Sequence, residues 1–156
     1  MNKIEISKCI EDLESGKRPK YDTINNKYSI SLGGENIKID GGFEFKNLRK
    51  ISDSFYNSMK KGHIKKNDIL INKDGANTGK FAIYKNNLKI NCATNEHLFI
   101  IRNNNKYLKS EYLYFLLFFS SYKTHIKKLT FGSAQPGINS KFLDKLVIRY
   151  HNEDDQ

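Results

Sequence analysis

Apolar and polar positions alternate, or group into short blocks, along most of the chain, and a helical period is sustained in only one long stretch. Residues Tyr28 to Leu32 alternate as a strand and run into Gly33-Gly34, and Ile37 and Ile39 continue the alternation as far as Gly41-Gly42. Asp68-Ile69-Leu70-Ile71 and Phe81-Ala82-Ile83-Tyr84 are apolar runs on either side of the Gly-rich stretch KDGANTGK, a hairpin pattern. His97 to Arg102 predicts a further strand, and Leu146 to Tyr150 a closing one. Near the start, Ser7 is placed to cap a short helix over Lys8 to Glu14, with Ile10 and Leu13 on one face and Gly16 as its stop. Part of Phe45 to Met59 is expected to be helical. The longest helix is expected to open at Ser110 as N-cap, with Glu111 suiting the positive end of its dipole. Apolar residues fill Tyr112 to Phe119, and Tyr122, Ile126 and Leu129 carry the stripe onward. A short helix over Ser140 to Leu143 follows the loop FGSAQPGIN. Together these elements predict one α+β domain with a mixed, irregular sheet, a few helices and long polar loops.

A chain of 156 residues supports one such core. Its formal net charge of +10 makes polyanions the first partners to consider. That inference is discounted by composition: 23 Lys stand against 4 Arg, beside 18 Asn, the usage that an AT-rich genome writes. The opening, MNKIEISKCIEDLESGK, has no apolar central run of the kind a signal peptide needs. The most apolar segment, Tyr112 to Phe119, falls far short of a membrane span. Cys9 and Cys92 read as small buried hydrophobes rather than a disulfide, so the expected setting is cytoplasmic.

Tests for catalytic chemistry return little. Gly75-Ala76-Asn77-Thr78-Gly79-Lys80 evokes a phosphate-binding loop, but only three residues separate its glycines, Phe81 follows the lysine, and a strand follows instead of a helix. Glu44-Phe45-Lys46, with Asp22 or Asp40 upstream, fits the carboxylate and lysine pattern of a magnesium-dependent nuclease. That gives the alternative reading, although the tripeptide arises easily in a lysine-rich chain and Gly41-Gly42 is a poor entry to a buried strand. The four histidines and two cysteines show no metal-ligand spacing, so no metal or other cofactor is expected. Glu96-His97 reads as a structural pair. The aromatic residues Tyr112, Tyr114, Phe115, Phe118, Phe119 and Tyr122 are expected in the core rather than as a base-stacking platform. What remains are three polar loops, KRPKYDTINN, KDGANTGK and FGSAQPGIN, whose lysines and arginine suit phosphates and whose Asn, Gln, Ser and Thr suit base edges.

The order of these features resembles the target-recognition domain of type I restriction-modification specificity subunits. The resemblance rests on Gly16-Lys17-Arg18-Pro19 and loosely on LGGENI (Leu32 to Ile37). It also rests on Asp68-Ile69-Leu70, with Asn67 where the family has glycine, and on Asp74 to Lys80. Glu111-Tyr112-Leu113, the loop Gly132 to Asn139 and the strand Leu146-Val147-Ile148 complete it. It implies a module without catalysis that reads one half of a bipartite duplex target, in complex with methyltransferase subunits and, through them, the restriction subunit. It divides the chain into a recognition domain over 1–150 and the opening of a spacer helix over 151–156. Base-edge contacts are expected from Asn77, Thr78, Ser133 and Gln135. Phosphate contacts are expected from Lys17, Arg18, Lys73, Lys80 and Lys141, with Gly75, Gly79, Gly132 and Gly137 shaping the loops.

Overall fold

The computed structural model describes residues 2–119 and 137–151, and its middle layer is a four-stranded antiparallel sheet in the order β2-β8-β5-β6. These strands span Ile10–Ser15 (β2), Ile69–Asn72 (β5), Phe81–Ile83 (β6) and Leu98–Asn103 (β8). A second sheet, in the order β4-β3-β7, joins Arg49–Ser52 (β4) antiparallel and Cys92–Thr94 (β7) parallel to Tyr28–Leu32 (β3). A two-stranded ribbon pairs Asn2–Glu5 (β1) with Val147–Tyr150 (β9). The helices are Asp53–Ser58 (α1) and Ser110–Phe118 (α2), and 3-10 turns occupy Ile6–Cys9, Gly34–Asn36 and Ser140–Lys145. The expected α+β class with a mixed sheet is what the chain adopts.

The middle sheet is packed on both faces, which explains why its sequence runs apolar instead of alternating. Leu70, Ala82, Leu98 and Ile100 face the second sheet and join Ile30, Leu32, Ile37, Tyr84 and Cys92 in one core cluster. Ile69, Ile71, Phe81 and Ile101 point the other way, into a cluster with Leu113, Tyr114 and Leu117 of α2 and with Phe142, Leu146 and Ile148. Strand β5 is therefore buried along its whole length. Core residues of this kind contribute about 1.5–3 kcal/mol each.

Several expectations are corrected. The segment Lys8 to Glu14 is not a helix: a 3-10 turn at Ile6–Cys9 leads into β2, whose pairing with β8 slips between Ile10 and Asp12. That bulge places Ile10 and Leu13, three residues apart, against the same core, and so imitates helical spacing. Ile37 and Ile39 do not extend a strand; Ile37 makes an isolated bridge to Phe43 after the 3-10 turn. Within Phe45 to Met59, β4 precedes a short α1 capped by Ser52, whose Oγ accepts from the Phe55 amide at 3.1 Å. Ser110 is the first residue of α2 and not its cap; its hydroxyl donates to Asn105 Oδ1 at 3.1 Å. The aromatic helix is only partly core. Tyr114 is buried, whereas Phe115 and Phe119 are 52% and 63% exposed. Tyr122, Ile126 and Leu129 lie outside the described residues.

The hairpin of β5 and β6, the strand β8 and the closing β9 agree with expectation to within two residues at each end. The two cysteines are free and buried, and burial pushes the Cys9 thiol up to about 11 and raises Cys92 as well. No helix among the described residues is long and apolar enough to cross a membrane.

Candidate nucleic-acid interface

The antiparallel pairing of the middle sheet brings three chain segments to one end. Ser15 at the end of β2 lies opposite Phe99, Asn72 at the end of β5 lies opposite Leu98, and Ile71 lies opposite Phe81. Residues 16–18, the β5–β6 loop and the β7–β8 loop therefore leave the sheet together. The end of the loop that contains Gly132 to Asn139 joins them, because Gly137 bridges Asp74 and the Ile138 amide donates to the Lys73 carbonyl at 2.5 Å. The start of KRPKYDTINN, the whole of KDGANTGK and the end of FGSAQPGIN thus converge on one surface.

Glycine makes two of these approaches possible. A Cβ on Gly16 would lie 1.7 Å from the Thr94 carbonyl oxygen, so the backbone crosses β7 where no side chain fits. Gly75 and Gly79 adopt φ of +74° and +82° in open space, where the left-handed backbone itself selects glycine. Between them the loop folds on itself. The Thr78 amide and hydroxyl both donate to the Gly75 carbonyl, at 3.1 and 2.6 Å, and the Lys80 ammonium donates to Asn77 Oδ1 at 2.5 Å. The loop joins two antiparallel strands, which is not the strand-to-helix context of a phosphate-binding loop.

Charges at this end are organised into one chain of contacts. Arg18 Nε lies 3.1 Å from Glu96 Oε1, which lies 3.3 Å from His97 Nε2, and His97 Nδ1 lies 2.6 Å from Asp74 Oδ1. Glu96 and His97 are thus joined in one chain of contacts, and the further acid in it, Asp74, comes from a different loop. Lys73 is half-buried: its ammonium donates to Ser15 Oγ at 3.2 Å and sits 4.7 Å from the Phe99 ring centroid. Lys17 is exposed, with its ammonium 5.5 Å from the Phe55 ring centroid. Lys141 is exposed at the start of the last 3-10 turn, which Asn139 caps through the Lys141 amide at 3.0 Å.

The structure therefore brings Lys17, Arg18, Lys73, Asn77, Thr78 and Lys80 to one end, with Lys141 four residues beyond the Gly137 bridge. Asn77 and Thr78 spend part of their hydrogen-bonding capacity inside their own loop. Ser133, Gln135 and Gly132 lie outside the described residues. Gly137 sits in no strained conformation; its contribution is the bridge to Asp74. Sequence reasoning missed Asn72 and Asp74 as participants. Asp74 was legible only as part of its loop, and Asn72 only as a polar residue closing an apolar strand.

The residues of the nuclease reading do not assemble in the required way. Glu44 to Lys46 are loop and turn, not strand, and Glu44 Oε1 accepts from the Lys46 amide at 3.0 Å. Asp22 Oδ2 accepts from the Ser52 amide at 2.8 Å, and Asp40 Oδ1 from the Gly42 amide at 3.0 Å. Glu44 and Asp40 shape their own turns, and Asp22 ties its loop to the amide of Ser52 at the end of β4.

A separate charge cluster ties neighbouring strands of the middle sheet together. Arg102 on β8 donates from Nε and Nη2 to both oxygens of Asp68, at 3.0 and 2.8 Å, and from Nη1 to Glu14 Oε1 at 2.6 Å. Backbone amides complete it: Gly62 donates to Glu14 and Lys65 to Asp68, both at 2.7 Å. Burial raises the Glu14 carboxyl, but the Gly62 amide and the Arg102 guanidinium outweigh it and hold the group below its usual range. Asp68 is more deeply buried, and desolvation lifts it above its usual value against the pull of Arg102.

Comparison with known proteins follows the same geometry. No curated protein sequence matches the chain. A chain of the S subunit of the type I restriction-modification system from M. genitalium superposes with a TM-score of 0.60 at 19% identity, covering 94% of this chain and 33% of that one. A chain from a structure of complex assembly and conformational transition in the type I R-M system gives 0.68 at 14% identity, with coverages of 94% and 37%. The chain thus spans about a third of the length of these relatives, and at such identities the likeness establishes the fold. Residues 5–151 match the family described as the type I restriction modification DNA specificity domain, and the chain belongs to that family.

Proposed function

We propose that this domain reads one half of a bipartite target in double-stranded DNA, with residues 1–150 as the recognition unit. It performs no catalysis of its own and serves a methyltransferase and endonuclease complex whose modification subunits bind it. The observation that supports this most is the convergence of one whole polar loop with the start of a second and the described end of a third, at one end of a sheet packed on both faces. Reading requires donors and acceptors held at fixed positions, and a doubly packed sheet is a rigid base for them. Lys17 and Arg18 flank the loops, where contacts to phosphate fix register without carrying sequence information. Ser133 and Gln135 precede Gly137 in the sequence and are further proposed base readers.

The test is duplex binding by the purified chain as a function of salt. Affinity is expected to fall steeply as salt rises, because each phosphate contact releases counterions. Lys17→Ala is the cleaner phosphate probe, since Lys80 also shapes its own loop through Asn77. It is expected to weaken all sequences alike, whereas Gln135→Ala is expected to change the preferred sequence. Absence of duplex binding even at low salt contradicts the proposal.

A further inference from the structure

Between the β5–β6 loop and the turn at Gly34–Asn36 lies a cleft of about 340 Å³, lined among others by Gly34, Glu35, Asn72, Asp74, Asn77 and His97. Its wall has the opposite character to its surroundings. Lys17, Arg18, Lys73 and Lys80 belong to the segments around it, but the groups on the wall include the carboxylates of Asp74 and Glu35.

Asn72 adds a second, independent feature. The residue is 2% exposed, and its Nδ2 donates to the Asp74 carbonyl at 2.9 Å, yet its Oδ1 has no hydrogen-bond partner among the described residues. That oxygen faces Gly34 across the cleft wall, so closely that a Cβ on residue 34 would lie 2.4 Å from it. A buried acceptor without a donor is costly to keep, which marks the place as one where a donor is to be supplied. Asp74 is held in position by the 2.6 Å contact of its Oδ1 with His97, and among the described residues its Oδ2 has no recorded donor.

Carboxylates in a cleft on a DNA-reading surface repel phosphate. In the major groove they meet two donors, the exocyclic amino groups of cytosine (N4) and adenine (N6). Adenine sets the acceptor N7 beside its amino group, which opposes a carboxylate, whereas cytosine offers no acceptor on that edge. Resting on the DNA-reading function proposed above, we infer that Asp74 is a specificity-determining residue that accepts a hydrogen bond from the N4 amino group of a cytosine. His97 is its positioning residue, and Asn72 fixes the backbone that carries it through the bond to the Asp74 carbonyl.

The experiment is selection from a randomised double-stranded DNA library by the full chain, sequenced for the wild type, Asp74→Asn and His97→Ala. The wild type is expected to return a motif with one cytosine position that Asp74→Asn relaxes by about tenfold, the other positions keeping their preferences. His97→Ala is expected to relax that same position, and it carries the test if Asp74→Asn fails to fold, as thermal melting would reveal. Variants that return the wild-type motif, or that lower enrichment at every position alike, overturn the inference while leaving DNA reading intact. A wild-type chain that returns no motif removes both.

Discussion

Replacing Arg102 by Met isolates the energetic role of the cluster that ties β8 to β2 and to the entry of β5. The guanidinium satisfies three carboxylate oxygens, and the side chains of Arg102, Glu14 and Asp68 are only 11%, 11% and 3% exposed. Removing one partner from a buried ionic cluster costs about 3–5 kcal/mol, because the remaining charges stay desolvated. Here the Gly62 and Lys65 amides still serve the carboxylates, which places the expected loss near the lower end, about 3 kcal/mol. The pH dependence follows from the sign of each shift. In the wild type Glu14 is held low, so its stabilisation is present above the unfolded carboxyl pKa and is lost as pH falls through the lower folded value. Asp68 is raised by burial and acts in the opposite sense. Without Arg102 the Asp68 carboxyl rises further, while Glu14 keeps only the Gly62 amide against its burial, so the variant gains stability as pH falls through the raised Asp68 value and loses less through Glu14. The gap between variant and wild type is therefore expected to be largest near pH 7.5 and to shrink toward pH 4.5. Urea denaturation followed by circular dichroism measures it, since the chain has no Trp to report by fluorescence. The exposed pair Lys8–Glu5, at 3.9 Å, is the control: Lys8→Ala is expected to cost less than about 1 kcal/mol. A loss in Arg102→Met below about 1 kcal/mol, or one that does not change with pH, refutes the buried-charge account.

Gly16→Ala is expected to destabilise the fold by about 3 kcal/mol or more, because its Cβ would overlap the Thr94 carbonyl, a backbone atom that cannot rotate away. Gly79→Ala, in open space at φ +82°, is expected to cost only about 1–2 kcal/mol, and thermal melts of the two variants separate crowding from backbone strain. The buried Cys9 and Cys92 thiols, both raised in pKa, are expected to resist an aromatic disulfide reagent at pH 8 in the native state and to react together on denaturation. Rapid native labelling of either would contradict its burial. In DNA binding, Lys17→Ala is expected to reduce the magnitude of the salt slope by about 0.9, as read from titrations at several salt concentrations.

Legibility in the sequence tracked how local the cause of each element is. The β5–β6 hairpin was readable because burial on both faces makes β5 a continuous apolar run and the loop between carries its own turn residues. Strand β2 was misread because its bulge places Ile10 and Leu13 on one face, which the eye takes for a helical turn. Strands β1 and β7 went unseen for a different reason. Asn2–Glu5 is a strand only because Val147–Tyr150 pairs with it from the far end of the chain, and Cys92–Thr94 only because it lies parallel to β3. The site divides in the same way. Glycines and amides marked each loop, but no local pattern could place Asp74 against His97, 23 residues away, or Gly137 against Asp74.

A fold retained at 14–19% identity must rest on interactions that tolerate substitution. The two core clusters satisfy this, since apolar residues of similar volume exchange at small cost when patterning is kept. The Gly16 crossing and the Arg102 cluster do not, because one needs the absence of a side chain and the other needs three matched charges. Both fix where β2 lies against its neighbours: Gly16 at the loop end itself, Arg102 further along the same strands. The segment they hold in register is the one that presents Lys17 and Arg18. Positions between Gly75 and Gly79 are bonded mainly within their own loop, through the Gly75 carbonyl and the Asn77–Lys80 contact. If the domain reads DNA as proposed, substitution within 76–78 changes its contacts while the frame that aims those residues stays fixed.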